Sequence, residues 1–75
     1  MTDLVVDATG LRCPAPVIRL ARAAREARPG TTITVLATDP AAEHDVPAWA
    51  RMRGHALVSV EKDDDRLTLV VRTAG

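Results

Sequence analysis

Apolar residues recur along this chain with two periods, and the change from one to the other predicts its elements. Leu4-Val5-Val6 is a short run of strand-forming residues, and Asp7-Ala8-Thr9-Gly10 follows with residues suited to a turn. From Val17 the spacing lengthens. Val17, Leu20, Ala21 and Ala24 recur at i, i+3, i+4 and i+7, one face of a helix turned to a core. Arg19, Arg22, Arg25 and Arg28 occupy much of the remaining helix surface. Pro29-Gly30 predicts the helix end, because proline does not continue a helix and glycine suits the C-terminal cap, with Arg25 and Arg28 complementing the helix dipole.

Residues 31–37 are rich in β-branched side chains, with Ile33 and Val35 on one face, and read as a second strand. Thr38-Asp39-Pro40 ends it. The stretch up to Arg53 reads as helical, with Ala48, Trp49 and Met52 spaced to share a core face and with Asp39 and Asp45 as candidate caps. Proline costs about 3 kcal/mol in a helix interior and little in the first turn, so Pro47 predicts a preliminary turn at 41–44 and a main helix starting near Pro47. Gly54 closes this helix. Residues 56–62 alternate, with Val58 and Val60 opposed to Ser59 and Glu61, and Asp63-Asp64-Asp65 turns the chain into a last strand from Leu67 to Arg72. The short connection predicts an antiparallel hairpin. The order is βαβαββ, and the expected fold is α+β: a two-layer α/β sandwich, a four-stranded mixed sheet with two helices on one face. The other sheet face, with Thr32, Thr34 and Thr68, is left to solvent or a partner.

Length and composition narrow the function. Seventy-five residues and 8.0 kDa suit a single domain, 1–75, and 47% hydrophobic with 27% charged residues places it among chains that fold. No apolar run approaches a spanning helix, and Met1-Thr2-Asp3-Leu4 lacks the features of a signal peptide, so the expectation is a cytoplasmic protein without membrane contact. Ten basic residues balance ten acidic ones, and Trp49 is the only aromatic side chain of the Phe, Trp and Tyr class. Neither a positive field nor a stacking platform is available, so direct nucleic-acid binding is not expected.

The single cysteine, Cys13, excludes an internal disulfide framework and a multi-thiolate zinc site. A buried inert thiol and a reactive one both remain open. Cys13 precedes Pro14, and proline favours the first helical position, so Cys13 is the expected N-cap with Pro14, Ala15 and Pro16 as the first turn. A sulfur there faces the free Ala15 and Val17 N–H groups, and with Arg12 beside it the thiol is expected to ionise below its ordinary value of about 8.5. The two prolines fix how the loop 10–13 enters the helix, and Gly10 permits a positive φ or a close backbone approach.

The segment Asp7-Ala8-Thr9-Gly10-Leu11-Arg12-Cys13-Pro14-Ala15-Pro16 resembles the signature D-x-x-G-x-x-C-P-x-P of the TusA-like sulfur carrier proteins, also called the SirA-like family. Asp39-Pro40, Asp45-Val46-Pro47 and His55-Ala56-Leu57 resemble that family's second block, and the resemblance covers essentially the whole chain. It implies a βαβαββ sandwich similar to the C-terminal domain of a translation initiation factor. It also implies that Cys13 accepts sulfane sulfur as a persulfide from a donor, a cysteine desulfurase or rhodanese, and relays it to an acceptor protein. Members serve tRNA thiolation, molybdenum-cofactor assembly or sulfur metabolism. The chain would then be a sulfurtransferase-like carrier acting with partner enzymes, monomeric and without cofactor. Thr38 stands where many relatives carry an aspartate.

Chemistry agrees with a carrier, since one thiol suffices for exchange with a persulfide and a dithiol oxidoreductase would need a second cysteine. The alternative from another class is a non-catalytic binding or regulatory module in which Cys13 is incidental. His44 and His55 have no recognised metal spacing with Cys13 and read as cap or surface groups, with no metal expected. The first helix's arginines read as a solvated face or as a docking surface for an acidic partner. Trp49 and Met52 read as core residues.

Overall fold

The computed structural model describes residues 3–74. Its elements are β1 (Asp3–Ala8), α1 (Ala15–Glu26), β2 (Thr32–Ala37), α2 (Ala42–Arg53), β3 (Ala56–Asp63) and β4 (Arg66–Arg72). The strands form one sheet in the order β1-β2-β4-β3. β1 pairs parallel with β2, while β2–β4 and β3–β4 are antiparallel, so the sheet is mixed. Alternation decides which face is covered: Ile33, Val35 and Ala37 of β2 and Leu67, Leu69 and Val71 of β4 are buried on one side. Against them α1 packs over β1 and β2, and α2 over β3 and β4, closing a single core.

α1 buries Leu20 and packs Val17, Ala21 and Ala24 against the core, the face expected from the spacing. It ends at Glu26, short of Pro29. Ala27 is extended (φ −88, ψ 152), and Arg28, which precedes a proline, is disfavoured from helix. Only Arg25 therefore lies in the last turn. The Arg28 carbonyl instead accepts from the Thr31 and Thr73 hydroxyls at 2.6 and 2.8 Å, and Thr73 N–H donates to the Thr31 carbonyl at 2.9 Å. This knot joins the start of β2 to the end of β4.

α2 departs from the sequence reading. Instead of a preliminary turn and a helix from Pro47, one helix runs from Ala42 through Pro47. Pro47 has no N–H for the Glu43 carbonyl, a loss opposed by burial of Ala42, Val46, Trp49 and Ala50 on one stripe. That stripe turns Met52 outward. Met52 is 77% exposed, so it is not a core residue, whereas Trp49 is 8% exposed and is one. Gly54 closes α2 in the left-handed conformation (φ 77), as its position predicts, and His55 N–H donates to the Ala50 carbonyl.

β3 also differs. A bulge between Leu57 and Ser59 takes Val58 out of the ladder, so Leu57 and Val60 lie opposite the buried Val71 and Leu69, and Val58 does not pair with Val60 as a face. Asp64, at φ 55, carries the tight turn into β4. Asp3 and Arg72 both flank Thr32, so β1 begins and β4 finishes at the same end of the sheet. No helix among the described residues is long and apolar enough to cross a membrane.

Candidate functional site

β1 and β2 are parallel neighbours, so the loops that leave their C-terminal ends emerge side by side, at the end of the sheet remote from Asp3 and Arg72. The first loop carries Cys13 and the second carries Thr38 and Asp39. Within the first, the Asp7 carboxylate accepts from Thr9 N–H (3.0 Å) and the Thr9 hydroxyl (2.7 Å), and Leu11 N–H donates to the Ala8 carbonyl (3.2 Å). Those bonds, the hydroxyl's foremost, hold the Asp7 carboxyl below its ordinary range. Gly10 has φ +80, and a Cβ there would meet nothing within 4 Å. The backbone angle, not crowding, is what calls for glycine.

The two loops are joined by side chains. Thr38 Oγ1 accepts from Gly10 N–H at 2.9 Å, and Asp39 Oδ2 accepts from Cys13 N–H at 2.7 Å. Asp39 Oδ1 accepts from Ala41 N–H at 3.0 Å, an Asx turn that leads into α2. The Asp39 carboxyl is lowered by the Cys13 and Ala41 hydrogen bonds and by the charge of Arg12. The Asp39 bond also alters the helix start. Cys13, its N–H drawn to the second loop, is not the N-cap; Pro14 is (φ −91, ψ 12), with no side-chain cap bond, and α1 begins at Ala15. The Cys13–Pro14 peptide bond is cis.

The expected cradle of amides is therefore different in fact. Ala15 N–H donates to the Arg12 carbonyl at 2.9 Å and is not free for the sulfur. Pro16 is buried and Val17 packs on the core, while Gly10, Arg12 and Pro14 are exposed. Cys13 itself is half-buried and free. Its thiol is pushed up to about 11, by partial burial first, then by the Asp45 carboxylate it faces and the charge of Asp39. That direction favours the protonated thiol at neutral pH and is opposite to the one expected from Arg12 and a helix start. Arg12 acts on Asp39 instead. Beside the thiol loop, Gly10, Leu11, Arg12, Thr38, Asp39 and Pro40 line an open cavity of about 350 Å³.

Sequence spacing assigned Asp39 and Asp45 to helix capping and did not bring either to Cys13. The βαβ order held the signal, because a parallel β1–β2 pair necessarily places the loop after β2 against the loop after β1. His55 lies elsewhere: its Nδ1 accepts from Ala74 N–H at 3.0 Å and its ring packs 5.0 Å from that of Trp49. His44 is exposed. Among the described residues, no group of three or more His, Cys, Asp or Glu side chains is placed to hold a metal ion.

A mixed four-stranded sheet under two helices, with one free thiol on the loop between β1 and α1, defines a small two-layer α+β domain. Residues 4–73 match the family model described as Sulfurtransferase TusA, and the chain belongs to that family of sulfur carriers. It is 40% identical over 72 residues to a candidate sulfur carrier protein of Neisseria meningitidis serogroup A, covering 96% of this chain and 97% of that one. A candidate sulfur carrier of Aquifex aeolicus is 35% identical over 73 residues, which are 97% of this chain and 37% of that longer protein. The crystal structure of a SirA-like protein from Desulfitobacterium hafniense superposes with a TM-score of 0.81 at 27% identity, covering 96% of this chain and 99% of that one.

Proposed function

We propose that Cys13 is the atom on which this protein carries sulfur, receiving sulfane sulfur as a persulfide and handing it to an acceptor protein. The observation that carries this reading is the placement of the chain's only thiol, in a chain of the sulfur carrier family, on a side-chain-braced loop at an open end of the sheet. Two thiol exchanges describe the cycle. Cys13 sulfur attacks the outer sulfur of a donor persulfide, the donor's S–S bond breaks as the new one forms, and the donor sulfur leaves and takes up the proton that Cys13 gives up. A donor persulfide and a Cys13 thiol thus become a donor thiol and a Cys13 persulfide, with no net oxidation and no cofactor required. Delivery is the same exchange with the acceptor's thiol.

A cysteine desulfurase or a rhodanese fits the donor's role chemically. The acceptor belongs to tRNA thiolation, molybdenum-cofactor assembly or another branch of sulfur metabolism, reached in the cytoplasm by a monomeric carrier. Gly10, Pro14, Ala15, Pro16 and Val17 serve by fixing the loop and the helix it enters. Arg12 serves through Asp39.

A second reading, a binding or regulatory module with an incidental cysteine, draws on the protonated state of the thiol. One experiment separates the two. After incubation with a cysteine desulfurase and cysteine, intact-mass spectrometry is expected to show one added sulfur on the wild type and none on Cys13→Ser. Equal gain by both, or by neither, refutes the carrier reading.

A further inference from the structure

Two clefts border α1, and they differ in charge. The first runs along its outer face and is lined by Arg19 and Arg22, but also by Glu26, four residues beyond Arg22 and placed to offset it. The second lies where the last turn of α1 meets the end of α2, and is lined by Ala21, Ala24, Arg25, Trp49, Arg53 and His55. Among the described residues no carboxylate lines it. Its two arginines are not needed to close their helices. Ala27 N–H already donates to the Ala24 carbonyl (3.2 Å), Gly54 N–H to that of Arg51 (3.3 Å) and His55 N–H to that of Ala50 (2.8 Å). One further donor is fixed. His55 Nδ1 accepts from Ala74 N–H at 3.0 Å, so the neutral ring carries its proton on Nε2, and packing 5.0 Å from the Trp49 ring steadies it.

We propose that the cleft between the ends of α1 and α2 binds a small tetrahedral dianion, a phosphate or sulfate group, between Arg25 and Arg53, with His55 Nε2–H as a third donor. Two guanidiniums supply two positive charges and two forked donor sets, which a dianion matches and a single carboxylate leaves half unanswered. Size selects in the same direction. The cleft measures about 230 Å³, below the roughly 300 Å³ at which sites for drug-sized ligands begin, so its occupant is one compact group. That group can arrive free or as a phosphomonoester. The site is separate from the thiol: Arg25 lies ten residues along α1 from Ala15, about 15 Å at the rise of a helix. Anion binding there therefore does not rest on sulfur carriage by Cys13.

Trp49, the only tryptophan of the chain, lines the cleft and reports on it. At about pH 7.5, with ionic strength held constant by sodium chloride, the protein is titrated with inorganic phosphate, sulfate, glycerol 2-phosphate and acetate. Tryptophan fluorescence and backbone and side-chain N–H shifts in NMR spectra are followed. A saturable response to phosphate and sulfate is expected, with shifts centred on Trp49 and His55, and a response to acetate at least about tenfold weaker. Glycerol 2-phosphate binding as well as phosphate assigns the group to a larger molecule, and weaker binding assigns it to the free ion. Removing both charges in the double variant Arg25→Gln, Arg53→Gln is expected to weaken binding about tenfold or more. General salting effects do not saturate and persist in that variant. Three results overturn the inference: no saturable response, equal binding of acetate, or an unchanged response in the double variant with its circular dichroism intact. Shifts centred away from the cleft overturn it too, and they are read on the wild type, so a variant that fails to fold does not shield it.

Discussion

Unfolding this protein is expected to make its cysteine more reactive, the reverse of what a thiol activated by its fold would show. In the native state burial and the neighbouring carboxylates raise the thiol from a reference of 9.0, close to the ordinary value of about 8.5, to about 11. At pH 7.5 that difference of about two units leaves about a hundredfold less thiolate in the folded protein than in the unfolded chain. Nucleophilicity recovers part of the loss, because a thiolate of higher pKa attacks more strongly. With a Brønsted slope of about 0.45, two units return about eightfold. The net expectation is alkylation about tenfold slower in the native protein than in the same protein held unfolded in urea. The assay is the pseudo-first-order rate with iodoacetamide, read by mass spectrometry, at several pH values under both conditions. By the same arithmetic the two rates should meet near about pH 10 and then invert, the native protein reacting about fourfold faster than the unfolded chain at about pH 11. Native alkylation faster than unfolded at pH 7.5, or a native inflection at or below 9.0, would refute the reasoning. The same group acts on stability with a definite sign: the folded state holds the proton more tightly, so its contribution is fully present below pH 9.0 and is lost as pH rises towards 11.

Two further outcomes concern the scaffold. Pro47→Ala restores an N–H to the Glu43 carbonyl inside α2 and is expected to stabilise the fold by about 2 kcal/mol, after allowing for the unfolded-state entropy that proline removes; a lowered urea midpoint would show that the proline ring's packing outweighs the hydrogen bond. Asp7 and Asp39 both have folded values below 3.8, so their contributions are present above that pH and are lost as pH falls through the folded values. Asp39→Asn should therefore flatten the acid limb of a stability-against-pH curve measured by urea titration, and an acid limb identical to the wild type would contradict the Asp39 hydrogen bonds.

Periodicity made the elements legible because burial in a two-layer fold is one-sided, so Leu20 on α1 and the Ile33-Val35-Ala37 face of β2 announce themselves. What periodicity missed followed from tertiary packing. Met52 shares a helical spacing with Trp49, yet the stripe of α2 that meets the sheet is fixed by Ala42, Val46 and Ala50, and Met52 lies off it. The β3 bulge was hidden because an edge strand with exposed Val58 and Val60 reads the same with or without an extra residue. The state of the thiol failed for a plainer reason. Arg12 is its neighbour in sequence, but Asp39 and Asp45 are its neighbours in space, and no local window contains them together. Thr38 illustrates the same point. The strand end at Thr38 gave no sign of a contact with the first loop, yet its hydroxyl braces Gly10.

The shared location of Asp3 and Arg72, flanking Thr32, has a practical meaning for anyone attaching something to this domain. A fluorophore, an affinity handle or a fused module tethered near either place hangs from the pole opposite the Cys13 loop. Visitors approaching Cys13 meet the α2 turn and the 10–13 loop, never the tether.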